Sequence, residues 1–483
     1  MMLARTVVAI AATALLAACS PSSGPPPPTD LAGDLAARVG IDAMAAHLDA
    51  LQSIADQHGG NRAEGTPGYD ASVDYVAKLL RDKGFDVETP EFERYGSTRG
   101  GKPRVTVAGR DHSVQQASLL VTTRPGGLNA VTLRPATPDG CTREAYRGVD
   151  VEGAIAVVDD AGCSVVAKHD AAVAGGAVGL LVVAARPDAA TPGLFTPGYY
   201  RDLEVPVGII DAAANAALRR TSAPVRLVLD GEPVLVKSRN VLAQTKTGDS
   251  ANVVLAGAHL DSVAGGPGIN DNGTGVAALL ETALQLGASP DVRNTVRFAF
   301  WGSEEIGLAG SQAYVRGLDR DRLDDIALYL NFDMLGSPNP GYFTYDGDQS
   351  ASAEPAKATP EGSAGIERTL AGYLNLAGVR PADMPIGDRT DYHPFVTAGV
   401  PIGGVTTGAA QRKTAVQARL WGGRADVAFD PNYHTRRDTV DNVDRHALSV
   451  MGPAVAYGVG AYARSTDGPN GVPPRDRRDR RGR

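Results

Sequence analysis

Cysteine is scarce, three in 483 residues, too few for a disulfide framework to carry the fold. Basic charge is also short: 47 Lys and Arg face 55 Asp and Glu, a net charge of −8. Six Arg and two Asp crowd residues 475–483, so the rest of the chain is more acidic still. That balance excludes a typical nucleic-acid binder, which needs a basic face against the phosphates. Long apolar runs are missing apart from residues 6–18, too short to span a bilayer comfortably. Glycine and proline, 57 and 32, stay below the level of a low-complexity chain, and no internal repeat is visible. What is present is 43% hydrophobic and 21% charged, enough to bury substantial cores. At about 150 residues per domain, the length suggests roughly three compact units.

The first residues read as an address. Arg5 precedes the apolar run, which ends in Leu16-Ala17-Ala18-Cys19. That ending resembles the lipobox of bacterial lipoproteins, which implies removal of residues 1–18 and acylation of Cys19. Residues 19–34, rich in Pro and Ser, then form a tether. The expectation is an exported, extracytoplasmic protein held to the membrane by a lipid. An oxidising compartment favours pairing of the remaining two thiols, Cys141 and Cys163, over two buried free cysteines. The basic segment 467–483 reads as a solvated, disordered tail.

Apolar spacing predicts helices over 42–57 and 68–82, the second stopped by Gly84, and a strand over 85–92. Residues 119–235 change texture to short β-rich runs around one helix, at 165–174. The text VEGAIAVVDDAGCSVVAKHDAAVAGGAVGLLVV there resembles the protease-associated domain, a lid-like insert that implies no catalytic residues of its own. From residue 239 the pattern is strand, loop, helix. Strands are expected at 253–260, 296–301 and 326–333, and helices at 273–286, 307–315 and 443–463. The predicted class is α/β, a mixed, largely parallel sheet sandwiched by helices, interrupted by the smaller insert. The peptidase-like unit then comprises residues 35–118 and 236–466.

Polar clusters sit where these strands end, the side on which open α/β sheets bind ligands. They are His259 and Asp261, then Asp271, then Glu304-Glu305, then Asp333, with Tyr433-His434 further on. Singly, each has a plain structural reading: a strand-end histidine, a helix cap, a solvated acidic pair. Jointly they are hard to bury without a metal, because unpaired buried carboxylates are costly.

These residues resemble the exported bacterial co-catalytic dizinc aminopeptidases of the leucyl, aminopeptidase S and aminopeptidase Y type. The resemblance runs through GAHLDSVAGGPGINDNGTGVAALLET, FAFWGSEEIGLAGS, LYLNFDMLGSPNPGYF, DRTDYHPFVTAGVP and FDPNYHTRRDT, in order. It implies two Zn²⁺ per chain, one held by His259 and Asp333, the other by Glu305 and His434, with Asp271 bridging. It implies Glu304 as general base, Tyr433 as donor to the oxyanion, and Arg389 near the substrate's amino end, or else in a structural ion pair with Asp391. Asp261 is expected to accept the other N–H of His259 and fix its tautomer. Two ions against three carboxylates leave a small positive excess, suited to acidifying a water.

Departures from the family pattern bear on detail. Asn432 and Arg437 stand where close relatives place a cysteine pair, and Thr406 where an aromatic is common. No calcium site is expected. The implied substrates are peptides with a free N-terminus, and the chain reads as a monomer. Alternatives are a dizinc carboxypeptidase of the same fold, a one-zinc glutaminyl cyclase, and a non-catalytic receptor-like binder.

Overall fold

The computed structural model describes residues 30–185, 198–351, 359–478 and 480. The export signal and Cys19 lie outside the described residues.

The helix Leu31–Arg38, whose first four residues fall in the expected tether, opens the body, and two amphipathic helices follow. Ile41–Gln57 buries Met44, Leu48 and Leu51, and Pro67–Asp82 buries Val73, Val76 and Leu80. Pro67 pre-sets the first turn of the second helix, and the Thr66 side chain accepts from the Tyr69 N–H. Both pack near the helix Thr274–Leu286, which is buried along almost its whole length. An eight-stranded sheet lies at the centre, with four parallel strands in its middle: Asn294–Trp301, Asp249–His259, Ile326–Phe332 and Ile402–Thr406. Antiparallel Val241–Gln244 and Asp86–Glu88 extend one side. Phe343–Tyr345, antiparallel, and then Ala382–Met384 extend the other. Central strands covered on both faces must be apolar throughout, and the strand Ile326–Phe332 has every residue buried. Arg445–Arg464 closes the body, packing on the helices Leu31–Arg38, Thr274–Leu286 and Ser363–Leu376.

A two-stranded stalk, Glu91–Arg99 against Glu232–Arg239, leads to the insert. There a five-stranded and a four-stranded sheet enclose two apolar clusters. The insert begins earlier than residue 119. Arg104–Val107 and Arg110–Ser113 form a hairpin whose first strand pairs with Val225–Val228, burying Val105 and Val107 inside the insert. Its polar outer face and a turn at Ala108-Gly109 hid this short hairpin from apolar periodicity. Cys141 and Cys163 form a disulfide across 22 residues, beside the buried Lys168, which donates to the Asp139 and Ala161 carbonyls.

The basic tail is not a solvated coil over its described part. Arg478 and Arg480 are buried, donating to the carbonyls of Asp324, Ile326 and Gly399, and Arg475 pairs with Asp325 at 2.8 Å. Charge count alone missed this because the acceptors belong to a distant helix end and loop.

Candidate active site

The parallel strands end level, with His259 opposite Trp301 and Gly257 opposite Asn331. His259 closes its strand, Glu304 and Glu305 follow Trp301 by three and four residues, and Asp333 follows Phe332. Asp271 comes from the loop before the helix Thr274–Leu286, and His434 from the loop 430–438. Three non-glycine residues beside these side chains hold left-handed φ: Ser303 at 61°, Met334 at 55° and His434 at 59°. Strained backbone of this kind persists where surrounding contacts over-determine it, as at functional sites.

Asp271 faces both histidines. Its Oδ1 lies 3.2 Å from His259 Nε2, and its Oδ2 lies 3.2 Å from His434 Nε2. Asp333 Oδ1 lies 3.4 Å from His259 Nε2, and Glu305 Oε2 lies 3.0 Å from His434 Nε2. Two triads therefore share one carboxylate: His259–Asp271–Asp333 and Asp271–Glu305–His434, each with its ligand atoms within 4.8 Å of one another. His259 Nε2, Asp333 Oδ1 and Glu305 Oε1 are buried without a hydrogen-bond partner. Orphaned lone pairs converging on two points are costly alone and fit two cations, each with nitrogen and carboxylate donors suited to Zn²⁺.

The surroundings aim these groups. Asp261 does not act as expected: His259 Nδ1 lies 3.1 Å from the Asp261 backbone carbonyl, while its carboxylate stays 3.8 Å away. That carboxylate instead accepts the N–H groups of Glu304 at 3.0 Å and Glu305 at 3.3 Å, fixing the turn that presents both glutamates. Thr390 donates to Asp333 Oδ2 at 2.8 Å. Asp438 accepts the N–H groups of Asn270 and Asp271. Asp430 accepts from Asn270 at 2.7 Å and from the Asn432 N–H at 2.7 Å, so polar ties hold the His434 loop. Arg62, fully buried, donates to the carbonyls of Leu260, Pro267 and Gly268 on the loop joining His259 to Asp271.

Electrostatics follow the crowding. Burial, opposed by His259 and reinforced by Asp391, Glu305 and Asp333, raises the Glu304 carboxyl well above the usual range. Burial and then Asp271 push Glu305 up to about 8. Burial works against protonation of His434, but Asp271 and Glu305 outweigh it and raise the ring to about 10. The same contest, won by Glu304, Asp333 and Asp271, raises His259. Burial would raise Asp271, yet the two histidines hold it low. The carboxylates that raise both histidines are the same ones that a cation at each shared point would bind.

Tyr433 stacks on His434, ring centroids 3.7 Å apart, and faces the carboxylates of Asp271, Glu305 and Glu304, which with burial raise its hydroxyl. Arg389 is exposed and joins no ion pair among the described residues, so the pairing with Asp391 does not occur. Asp391 is buried, and burial first of all pushes it up to about 7. Arg62 and Asp438 were not singled out from sequence. Asp438 lies inside a segment that carries the resemblance and Arg62 outside all of them, and nothing in spacing distinguishes a residue that binds loop backbone from a solvated charge.

Comparison with known proteins identifies the family. The description "Peptidase family M28" matches residues 240–459, and "PA domain" matches residues 128–218. The chain is 51% identical over 452 residues to a "Probable lipoprotein aminopeptidase LpqL" of Mycobacterium tuberculosis, covering 93% of this chain and 90% of the relative. It is 36% identical to an "Aminopeptidase" of Pseudomonas aeruginosa, covering 85% of this chain and 78% of that one. Among solved structures, an aminopeptidase from Aneurinibacillus sp. strain AM-1 superposes with a TM-score of 0.64 at 23% identity, covering 90% and 97% of the two chains. Identity of this extent over most of both chains, with the family match, places the chain in peptidase family M28.

Proposed function

We propose that this chain is a dizinc aminopeptidase that removes N-terminal residues from peptides outside the cytoplasmic membrane, anchored through an acylated Cys19. The observation that carries the reading is the shared carboxylate: Asp271 offers one oxygen to each of two orphaned donor sets, with Glu304 beside them. His259 and Asp333 would hold one ion, Glu305 and His434 the other, and Asp271 both. The name of the Mycobacterium relative supports the lipoprotein reading, and no helix among the described residues is long and apolar enough to cross a membrane.

When bound, two zinc ions supply Lewis acidity that polarises the scissile carbonyl and acidifies a water to a pKa of about 7. Glu304, only 9% exposed and aimed by the Asp261 carboxylate through its backbone, takes the attacking water's proton and delivers it to the leaving amine. Its raised proton affinity suits that shuttle. Tyr433 places its hydroxyl toward the charge developing on the carbonyl oxygen, while its ring braces His434. Direction follows from the lining: Glu304 and Asp333 are acceptors fit for an ammonium group, whereas a terminal carboxylate needs cations beside the scissile bond. Cleavage of a Leu-anilide, its loss on N-acetylation, and cleavage of a C-terminally amidated peptide are the expected results. An enzyme that accepts the acetylated substrate and requires a free C-terminus would be a carboxypeptidase, and the reading would fall.

A further inference from the structure

A second cavity, of about 610 Å³, opens between the insert, the stalk and the helix Ala309–Gly317. One wall is Tyr199, Tyr200 and Arg201 of the insert; the opposite wall is Ile306, Gly307 and Arg316 of the body. Ile306 and Gly307 directly follow Glu305, so the cavity shares a wall with the loop that presents both glutamates.

Its charges do not balance. Of the charged residues lining it, Glu93 is paired with Lys237 at 3.1 Å, and Arg94 is paired with Glu64. Arg201 and Arg316 remain, and neither joins an ion pair or side-chain hydrogen bond among the described residues. Arg316 reaches across the junction: a Cβ on Gly198 of the insert would sit 3.8 Å from both its terminal nitrogens. Arg201 leans over the Tyr200 ring at 5.9 Å. Burial, and then the nearby Arg201, lower the proton affinity of Arg316, and Asp202 attracts it without coming within ion-pair distance. Two guanidinium groups brought together from different domains repel each other, and an anion between them reverses the sign of that interaction.

We propose that Arg201 and Arg316 form a subsite for the C-terminal carboxylate of short peptide substrates. The proposal rests on the aminopeptidase reading. A peptide whose amino end lies among Glu304 and Asp333 would reach this cavity by running past Ile306 and Gly307, which line it directly after Glu305. At about 3.3–3.6 Å per extended residue, a peptide of a few residues reaches the neighbouring cavity. The carboxylate is then bound remote from the scissile bond, so it sets peptide length and affinity and leaves the direction of cleavage unchanged.

The test compares kcat/KM on tri- to hexapeptides with free and amidated C-termini, in wild type, Arg201→Gln, Arg316→Gln and the double variant. Leu-anilide, which has no carboxylate, is the control. Because both arginines are exposed, the expected preference for the free acid is no more than about five- to tenfold, carried by KM. It should peak at one peptide length and vanish in the double variant. It should also shrink as salt rises from about 0.05 to about 0.5 M. Anilide turnover should stay within about twofold in every variant, with melting profiles unchanged. Equal kcat/KM for acid and amide at every length, with anilide cleaved normally, overturns the subsite and leaves the aminopeptidase standing. Preference for an internal Glu over a free C-terminus also overturns it. Failure to cleave the anilide at all removes the aminopeptidase reading and the subsite with it.

Discussion

Glu304 and Glu305 are neighbours in sequence with different surroundings. Glu305 meets His434 at 3.0 Å, while Glu304 makes no close contact with either histidine and gathers its perturbation from burial and surrounding acids. Exchange for glutamine should separate them. Glu304→Gln is expected to keep two zinc ions per chain by elemental analysis and to lose about 10²–10⁴-fold in kcat, since only the proton acceptor is gone. Glu305→Gln is expected to lose one ion first under mild chelation. Wild-type turnover from the Glu304 variant would remove it as the base. The side chains that meet in the two triads were legible because strands that end repeatedly in His, Asp or Glu are difficult to bury. The part played by Asp261 was not. Two residues from His259, it looked like a partner for the imidazole, but the chain turns there. The backbone carbonyl takes the ring while the carboxylate binds the following loop. Sequence distance does not say which oxygen of a residue will face a neighbour.

At the scale of elements, long apolar periods were readable and short amphipathic strands were not. The helix predicted over 42–57 is Ile41–Gln57, and that over 68–82 is Pro67–Asp82, each with a continuous buried face. In the hairpin at 104–113 the first strand alternates over only four residues and the second is polar throughout, too little to distinguish it from loop. Such short segments still generate local chemistry. Glu367, on the helix Ser363–Leu376, accepts the N–H groups of Gly347 and Asp348 and lies near Asp346 and Asp348. Burial first, and then the charges of Asp348 and Asp383, push it up to about 7 from an ordinary 4.5. Between those two values the folded chain holds a proton that the unfolded chain has released, so stability falls as pH rises through the interval. Glu367→Gln cannot titrate. Its melting temperature relative to wild type should therefore climb by roughly a few degrees between pH 4.5 and pH 7.5, then level off. A difference that stays constant with pH would show that Glu367 titrates normally.

Across the whole molecule, residues 475–478 and 480 return to the body rather than trailing from it. The helix Arg320–Asp325 ends with carbonyls that have no continuing turn to satisfy them. Arg478 donates to the Asp324 carbonyl and to Asn252, and Arg480 to the carbonyls of Leu323, Ile326 and Gly399. Cationic donors at a helix C-terminus also complement its partial negative charge. The same contacts cover the start of the central strand Ile326–Phe332, whose far end leads into Asp333. Removing them leaves several buried carbonyls unpaired, at about 1–3 kcal/mol for each group that water does not reach. Truncation after Val472, or the pair Arg478→Ala and Arg480→Ala, should lower the melting transition of the peptidase body. At about 2–4 °C per kcal/mol for a unit of this size, the shift should amount to several degrees. The insert has its own apolar clusters and should melt as before. Zinc content and anilide kcat at low temperature should be unchanged, because the contacts of the described tail residues lie at the start of the strand Ile326–Phe332, away from His259 and Asp333. A melting transition indistinguishable from the full chain would mean that the arginines merely rest on the surface. A loss of zinc would mean that the tail steadies the metal site through the strand that carries Asp333.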